Sequence, residues 1–335
     1  MITNDNPSLS LAINDDNFGL QGDLIATNGV NSVDLHDQMT PPWNVANYVA
    51  AASSENTRRA YRNDLRAFLA WGATLPSRPE TVAAYLVAHA SLLSPTTLSR
   101  RLVAIGRAHA ILDFPNPCRT ELIKTTLRGI WRVHGRPQRQ VHPALREDVL
   151  AMLPHMYGTR GLRDRALILV GFAGAFRRSE LVALQYEDVT FVKEGMTLTI
   201  RRSKTDQLGE GRKIAIPFAR SHACPVKALR TWLGHAGIES GPLFRFVKKG
   251  GVIGTQPLSA QTVAALVKEY ARKAGLHAAN YSGHSLRAGL ITSAAKAGVS
   301  SWKMREQTGH HSEAMLFRYI RDAQIFEDNA AGSVL

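Results

Sequence analysis

Two segments near the carboxyl end of the chain concentrate side chains suited to attack on a phosphate ester. The segment Tyr281–Arg287 reads Y-S-G-H-S-L-R, in which His284 and Arg287 lie three residues apart. On a helix that spacing places an imidazole and a guanidinium on one face, where both can donate to phosphate oxygens. Downstream, Tyr319 follows His310 by nine residues and offers an oxygen nucleophile. The pattern predicts a site at which a tyrosine attacks phosphorus among positively charged groups.

Other reactive residues occur upstream in an order that strengthens this prediction. Taken alone, H-x-x-R is a weak signal, because a solvated helix face with a capping histidine gives the same pattern. However, Arg177 precedes Glu180-Leu181, and Lys204 lies near a turn with two glycines. Together with S-G-H-S-L-R, A-K-A-G-V-S and Y-I-R, these residues resemble the tyrosine recombinase (phage integrase) family. The resemblance covers residues 56–321 and does not reach the first forty.

The resemblance implies a mainly α fold, a two-domain clamp. Residues 1–42 are rich in Asn, Asp, Ser and Gly and are expected to form a flexible acidic arm. Residues 43–134 have helical periodicity and match an all-helical core-binding bundle, whereas Gly, Pro and Arg in residues 135–143 indicate a linker. Residues 144–335 match the catalytic domain, which is expected to be mostly helical with a small antiparallel β-hairpin or sheet.

Hydrophobic periodicity predicts the individual elements. The first helix follows the capping residue Ser54 and buries Leu65 and Phe68, with arginines on its other side. Apolar and polar residues alternate over 196–200, which predicts the first strand of the hairpin. Further helices are predicted at 80–90, 95–112, 119–133, 146–156, 161–174, 225–236, 259–274, 284–297, 301–308 and around Tyr319.

The resemblance assigns roles in phosphate binding and attack. Arg177, rather than its neighbour Arg178, matches the first catalytic arginine because Glu180 follows it by three residues. The planar forks of Arg177 and Arg287 would hold the non-bridging oxygens, and Glu180 would orient the first of them. Tyr319 would then form a covalent 3′-phosphotyrosine.

Proton transfer requires further groups. His284 is the candidate acceptor of the Tyr319 proton, since nearby cations favour the phenolate and demand little base strength. Lys204 matches the family's hairpin lysine and is the candidate general acid for the leaving 5′ oxygen, with Lys213 as its substitute. His310 matches a position held by His or Trp in the family, where it can donate to the phosphate or pack against the helix of the nucleophile.

Charge indicates the class of partner. The 41 Lys and Arg exceed the 27 Asp and Glu by 14, and because residues 1–40 hold six Asp and no basic residue, the remaining chain carries +20. Such a field suits a polyanion, and the resemblance implies double-stranded DNA with an inverted-repeat target site. A basic membrane-surface protein is the alternative, but no long apolar run or basic amphipathic anchor is present.

Four residues are candidates for contact with DNA. The resemblance places Arg100 and Gln261 on groove-facing helices, where they are the candidate base-reading residues. Arg101 and Arg107 accompany Arg100 on the same predicted helix. Gln261 stands where the resemblance places an arginine, so the DNA sequence that this protein prefers should differ from the one preferred by a relative with arginine there.

Assembly is expected to accompany DNA binding. The resemblance implies a protein that is monomeric when free and forms a homotetramer on two DNA sites, exchanging strands through a four-way junction. Ile320, Ile325 and Phe326 belong to an apolar set that follows the candidate nucleophile. Such a set could pack on its own domain, but the resemblance implies a terminal segment that docks in a neighbouring protomer.

Composition restricts the remaining possibilities. Cys118 and Cys224 are the only cysteines, and their separation indicates neither a disulfide framework nor a cysteine metal site. The amino terminus lacks the basic start and apolar stretch of a signal peptide, which predicts a cytoplasmic, nucleoid-associated protein. No G-x-x-x-x-G-K-[ST] run, H-E-x-x-H motif or two-metal acidic cluster is evident. The sequence therefore predicts an enzyme without ATP, metal or another cofactor.

Two other functions remain compatible with these motifs. A type IB topoisomerase or hairpin-forming resolvase uses the same five groups, namely two arginines, a lysine, a histidine and a tyrosine. A DNA-binding regulator would retain the fold without the chemistry. The presence of every reactive group argues against the regulator, and the spacing of the motifs favours recombination.

Overall fold

The computed structural model describes residues 52–136, 141–201, 211–310, 316–317 and 319–320. Within them the protein is mainly α-helical with two small antiparallel sheets, which confirms the predicted fold class. The chain divides into two compact units between residues 138 and 139. The predicted acidic arm, the tail after residue 320 and part of the predicted linker lie outside the described residues.

The described part of the first unit contains four packed α-helices. Its helices are α1 (Glu55–Ala70), α2 (Pro79–His89), α3 (Pro95–Ile111) and α4 (Glu121–His134). Serines cap two of them: Ser54 Oγ accepts from the Thr57 N–H at 3.3 Å, and Ser94 Oγ accepts from the Thr97 N–H at 3.2 Å. All four helices contribute to one apolar core, which includes Leu65, Phe68, Tyr85, Leu86, Leu98, Ile105, Ile123 and Ile130.

The second unit is built around one buried helix. Its helices are α5 (Arg146–Met152), α6 (Gly158–Ala173), α7 (Arg178–Ala183), α8 (Pro225–Ala236), α9 (Ala260–Lys273), α10 (Ser285–Lys296) and α11 (Ser301–Thr308). Residues 166–171 of α6 are all buried, because this apolar run has neighbours on every side. No helix within the described ranges combines the length and apolar composition needed to cross a membrane.

A three-stranded antiparallel sheet accompanies these helices. Its order is β1 (Val189–Phe191), β2 (Gly195–Ile200), β3 (Arg212–Pro217), and Ile200 pairs with Arg212 at the end where a loop joins β2 to β3. Ile214 and Ile216 of β3 are buried, so Arg212 shares their side of the strand and Lys213 lies on the other. The loop that joins β2 to β3 carries Lys204 and lies outside the described residues. A second pair, β4 (Arg245–Val247) with β5 (Ile253–Pro257), was not predicted from the sequence.

A cavity of about 460 Å³ opens between β3, α10 and α11. Its lining is mostly apolar and includes Ala215, Leu290, Ile291, Ala294, Val299 and Met304. Lys213, Lys303 and Glu306 add charge to it. The cavity therefore lies on the side of β3 opposite to Arg212.

Candidate active site

Arg177 is fixed by Glu180 at the amino end of α7. The Arg177 backbone N–H donates to Glu180 Oε2 at 2.9 Å, and its Nη1 donates to Oε1 at 2.6 Å. Glu180 is buried, with a side chain only 2% exposed, so the carboxylate holds both ends of one residue. Its neighbour Arg178 packs instead across Gly283, where an added Cβ would lie 1.9 Å from the Arg178 Cδ. The two adjacent arginines thus occupy different environments.

Arg287 projects from α10 into the same region and is buried. Its Nη1 donates to the Ala175 carbonyl at 2.7 Å, and its Nη2 donates to His310 Nε2 at 3.1 Å. Ala175 has a φ of +48°, a left-handed conformation that is costly for alanine. That turn between α6 and α7 directs a main-chain oxygen at the guanidinium.

Close backbone packing sets the position of α10. The Ala144 N–H donates to the Ser285 carbonyl at 2.9 Å, beside the first turn of the helix. At Gly289 an added Cβ would lie 1.7 Å from the Ala144 oxygen, so only glycine permits this approach. The placement of Arg287 therefore depends on a glycine one turn further along the helix.

The bonds around His310 define its tautomer. Arginine can only donate, so Nε2 of His310 is an acceptor and the ring proton sits on Nδ1. That Nδ1–H donates to Thr308 Oγ1 at 2.7 Å, and the Thr308 hydroxyl donates to the Met304 carbonyl at 2.7 Å. In this arrangement His310 accepts from the arginine; donation from Nε2 would require a second proton or the other tautomer.

A third arginine joins this cluster, and sequence reasoning did not find it. Arg212 Nη2 donates to Glu180 Oε2 at 3.4 Å, and its Nη1 donates to the Gln307 carbonyl at 2.9 Å. The alternation of polar and apolar residues in β3 was visible in the sequence. However, nothing there indicated that the side of β3 occupied by Arg212 faces Glu180.

The cluster is strongly positive, and pKa values follow from that charge. Burial lowers the pKa of Arg287 to about 10, the charges of Arg177 and Arg212 act in the same direction, and Glu180 and Tyr319 oppose it. Burial also lowers the pKa of His310 to about 4, helped by the three guanidinium groups. At neutral pH the site therefore holds charged arginines and a neutral imidazole.

Tyr319 lies beside this cluster. It is half-buried and packs with Ile320 against Ile291, Met304 and Leu316. The phenol lies within electrostatic reach of Arg287, because the negative charge of an ionised Tyr319 would raise the pKa of that guanidinium. The folded chain thus brings the predicted nucleophile to the predicted arginines.

His284 and Lys213 are exposed, unlike the buried groups of the cluster. His284 directly precedes the first residue of α10, and Arg287 is buried three residues further on. The His284 backbone N–H donates to Ser282 Oγ at 3.1 Å. Lys213 lines the cavity on the outer side of β3.

The candidate DNA-contacting residues occupy varied environments. Arg100 donates through Nε to Asp64 Oδ2 at 2.7 Å while half its side chain stays exposed. Arg101 donates to the Tyr85 hydroxyl, and its buried Nε makes no hydrogen bond but lies 3.8 Å from Asp64 Oδ1. The Arg107 guanidinium lies 5.5 Å from the Tyr61 ring centroid. Gln261 is exposed in the first turn of α9.

The depressed pKa of His310 predicts a loss of stability in acid. The unfolded imidazole gains its proton as pH falls below about 6.5, whereas the folded one resists until about 4. The free energy of unfolding should therefore fall by about 3 kcal/mol between pH 7 and pH 4 through this residue alone. Urea unfolding of wild type and His310→Gln at both pH values measures this fall in the free energy of unfolding, which only the wild type should show in full. Equal losses in the two proteins would contradict the assignment.

Mainly helical architecture with clustered arginines and a nearby tyrosine defines a class of enzymes that cut phosphodiesters with tyrosine as nucleophile. The sequence model of the phage integrase family matches residues 144–324. An integrase/recombinase XerD homologue from Selenomonas ruminantium is 42% identical over 290 residues, covering 83% of this chain and 85% of the homologue. The chain belongs to the phage integrase family and is a site-specific tyrosine recombinase.

More distant relatives share the same fold. The sequence motifs favoured Cre recombinase of Escherichia phage P1 as the nearest family member, but Cre is only 24% identical, over 81% of this chain and 85% of Cre. The XerD homologue is therefore more similar. Among solved structures, XerH recombinase bound to a palindromic difH substrate has a TM-score of 0.61 and 18% identity, covering 86% of this chain and 82% of that one.

Proposed function

We propose that this protein cuts and rejoins DNA at a specific site through a covalent bond between Tyr319 and a 3′ phosphate. One observation carries the proposal: Arg177 is held by the buried carboxylate of Glu180, and Arg287 lies within electrostatic reach of Arg177, Glu180 and Tyr319. Two fixed guanidinium groups suit the charge that builds on the non-bridging oxygens during attack. DNA is the partner that the family and the excess of positive charge support.

Each chemical step has a candidate group. The Tyr319 oxygen attacks phosphorus as its proton passes to His284, and the bond to the 5′ oxygen breaks. Lys204 gives that oxygen a proton, so the products are a 3′-phosphotyrosine and a free 5′ hydroxyl. A 5′ hydroxyl from another strand reverses the step, and the retained ester energy makes ATP unnecessary.

His310 supports the arginines in this proposal. As an acceptor it holds the Arg287 fork in plane, and with DNA present it packs beside the nucleophile or donates to a phosphate oxygen after a tautomer change. Glu180 orients Arg177. The exposed position of His284 suits a group that meets the substrate only when DNA is bound.

The role of Lys204 predicts rescue by a better leaving group. Lys204→Ala should cleave an ordinary phosphodiester about a hundredfold to a thousandfold more slowly. A 5′-thio substrate should restore the rate, because a thiolate leaves without a proton. Single-turnover adduct formation on both substrates measures this. Failure of the thio substrate to rescue Lys204→Ala would assign the general acid to another group, with Lys213→Ala as the matched comparison.

The proposal also covers recognition of the DNA target site and assembly of the protein on it. The protein binds an inverted-repeat site, as the palindromic substrate of XerH suggests, with residues 43–134 and 144–335 as its two DNA-binding domains. Arg100, Arg101, Arg107 and Gln261 supply contacts, the first and last to bases. Four protomers act on two sites in the cytoplasm, on the nucleoid, without a metal or other cofactor. Sedimentation with and without DNA measures the change from monomer to tetramer.

The apolar cavity beside β3 supports exchange of tails in that tetramer. Its volume suits a few apolar side chains such as those predicted to follow Tyr319, which lie outside the described residues. Removing residues 325–335 should leave single-site binding intact and reduce tetramer formation. A uniform loss of thermal stability at every protein concentration would instead assign the tail to its own domain.

Covalent capture from a random library tests the function and identifies the target. Nicked duplexes with a randomised segment are incubated with wild-type protein or Tyr319→Phe, and DNA that survives denaturing extraction with protein is sequenced. A recombinase enriches one inverted repeat, and two copies of it then yield exchanged products. A topoisomerase captures duplexes without preference and relaxes any supercoiled plasmid, whereas a DNA-binding regulator captures none.

A further inference from the structure

Arg212 touches the two elements that carry the reactive groups on either side of it. Its Nη2 reaches Glu180 Oε2 on α7, and its Nη1 reaches the Gln307 carbonyl near the end of α11. Glu180 orients Arg177, and Gln307 lies three residues before His310. A single guanidinium therefore spans the gap between the carboxylate behind one arginine and the turn that presents the histidine.

The backbone of the α11 turn is shaped to receive this side chain. Gly309 ends α11 with a φ of +64°, and an added Cβ would lie 2.9 Å from the Arg212 Cζ. The Gln307 side chain fastens the same turn from the other side, because its Nε2 donates to the Ala173 carbonyl at 2.8 Å. The turn before His310 is thus held by two side chains, and the glycine leaves room for one of them.

We propose that Arg212 is a positioning residue of the recombinase, which locks Arg177 and His310 into one rigid arrangement by bridging Glu180 to the Gln307 carbonyl. The inference rests on the proposed cleavage by Tyr319. The Arg212 side chain is only 20% exposed, and both of its hydrogen bonds are donated to protein oxygens rather than being left for DNA. Its effect on the reaction therefore runs through the residues it fastens.

The bridge requires the fork of arginine. A guanidinium presents donors on two nitrogens in a fixed plane, whereas lysine offers one point of attachment. Arg212→Lys keeps the positive charge and most of the apolar stem but cannot bond both acceptors across this gap. A role based on charge alone would survive that substitution, and a positioning role would not.

The variants also have a spectroscopic signature. Arg212 is one of three guanidinium groups that lower the pKa of His310, after burial as the main cause. Removing the charge should raise the pKa of His310, while Arg212→Lys should keep it low and yet move the ring. Nitrogen resonances of 15N-labelled histidine follow both changes, and His310→Gln identifies the signal among the twelve histidines.

The experiment compares Arg212→Lys and Arg212→Gln with Arg201→Gln. Arg201 is a matched control because it follows β2 on the opposite strand of the hairpin and donates to the buried Asp188 at 2.6 Å, with 60% of its side chain exposed. On the duplex selected by covalent capture, both Arg212 variants should form adduct about a hundredfold more slowly with DNA affinity nearly unchanged. Arg201→Gln should stay within about twofold of wild type.

Several outcomes would overturn the inference. Wild-type cleavage by Arg212→Lys would reduce the role to charge, and a loss confined to DNA affinity would make Arg212 a DNA contact. If Arg212→Gln does not fold, the lysine variant and its His310 resonance decide the question, and an unmoved resonance rejects the bridge. Lack of any adduct with wild-type protein, or its persistence in Tyr319→Phe, would instead reject the proposed function.

Discussion

Tyr319→Phe is expected to abolish covalent capture of DNA while leaving binding intact. The substitution removes one oxygen from a half-buried ring, and the contacts of that ring with Ile291, Met304 and Leu316 remain. Loss of a nucleophile should reduce adduct formation by at least about ten-thousandfold, because no other group can form the ester. Single-turnover cleavage of the selected nicked duplex, resolved on denaturing gels, measures the adduct.

Two controls make this result specific. DNA affinity from fluorescence anisotropy should change by less than about twofold, since in the proposed mechanism the lost hydroxyl meets one phosphate of a long duplex. A second tyrosine, Tyr281, is buried and its hydroxyl is hydrogen-bonded with Asp148, so Tyr281→Phe should still form adduct. An adduct in Tyr319→Phe that maps to another residue would reassign the nucleophile.

Arg287→Met is expected to separate activity from stability. Adduct formation should fall about a hundredfold to a thousandfold, because one of two transition-state donors is gone. Folding should suffer little. Burial lowers the pKa of Arg287 to about 10, which means that placing this cation in the protein costs about 3 kcal/mol. Methionine removes that cost, which offsets the lost hydrogen bonds to Ala175 and His310.

Urea unfolding of wild type and Arg287→Met at neutral pH tests the second half of this prediction. The expected difference in unfolding free energy is within about 1 kcal/mol, with either sign, whereas the rate of cleavage collapses. Arg287→Lys serves as the control, because it keeps a buried cation and loses the fork. A large destabilisation by methionine would show that the arginine contributes more to the core than to the reaction.

Much of the fold could be predicted from the sequence. The serine cap at Ser54 and the apolar run of α6 predicted helices close to those found. The choice of Arg177 rather than Arg178 as the partner of Glu180 followed from the family pattern, in which an acidic residue comes three residues after the arginine. These signals are local, because capping and periodicity act within a few residues of the chain.

Features that depend on distant parts of the chain escaped prediction. Arg212 meets Glu180 only after β3 has paired with β2, and a strand sequence does not reveal which side faces an active site. His284 and Arg287 differ in burial because α10 begins after His284, a boundary that spacing alone does not fix. The strands β1, β4 and β5 have three to five residues, too few for a periodic signal.

The hydrogen bond from Arg287 to the Ala175 carbonyl also determines which substitutions at position 175 evolution can accept. Since the acceptor belongs to the main chain, no side chain at position 175 encodes the hold on that arginine. The turn is left-handed and position 175 is fully buried, so a residue there must tolerate positive φ and be no larger than alanine. Glycine meets both demands, whereas a β-branched residue resists the left-handed turn and is too large. Descendants of this protein should therefore be restricted to alanine and glycine at position 175 by the backbone, although the side chain there makes no bond to Arg287.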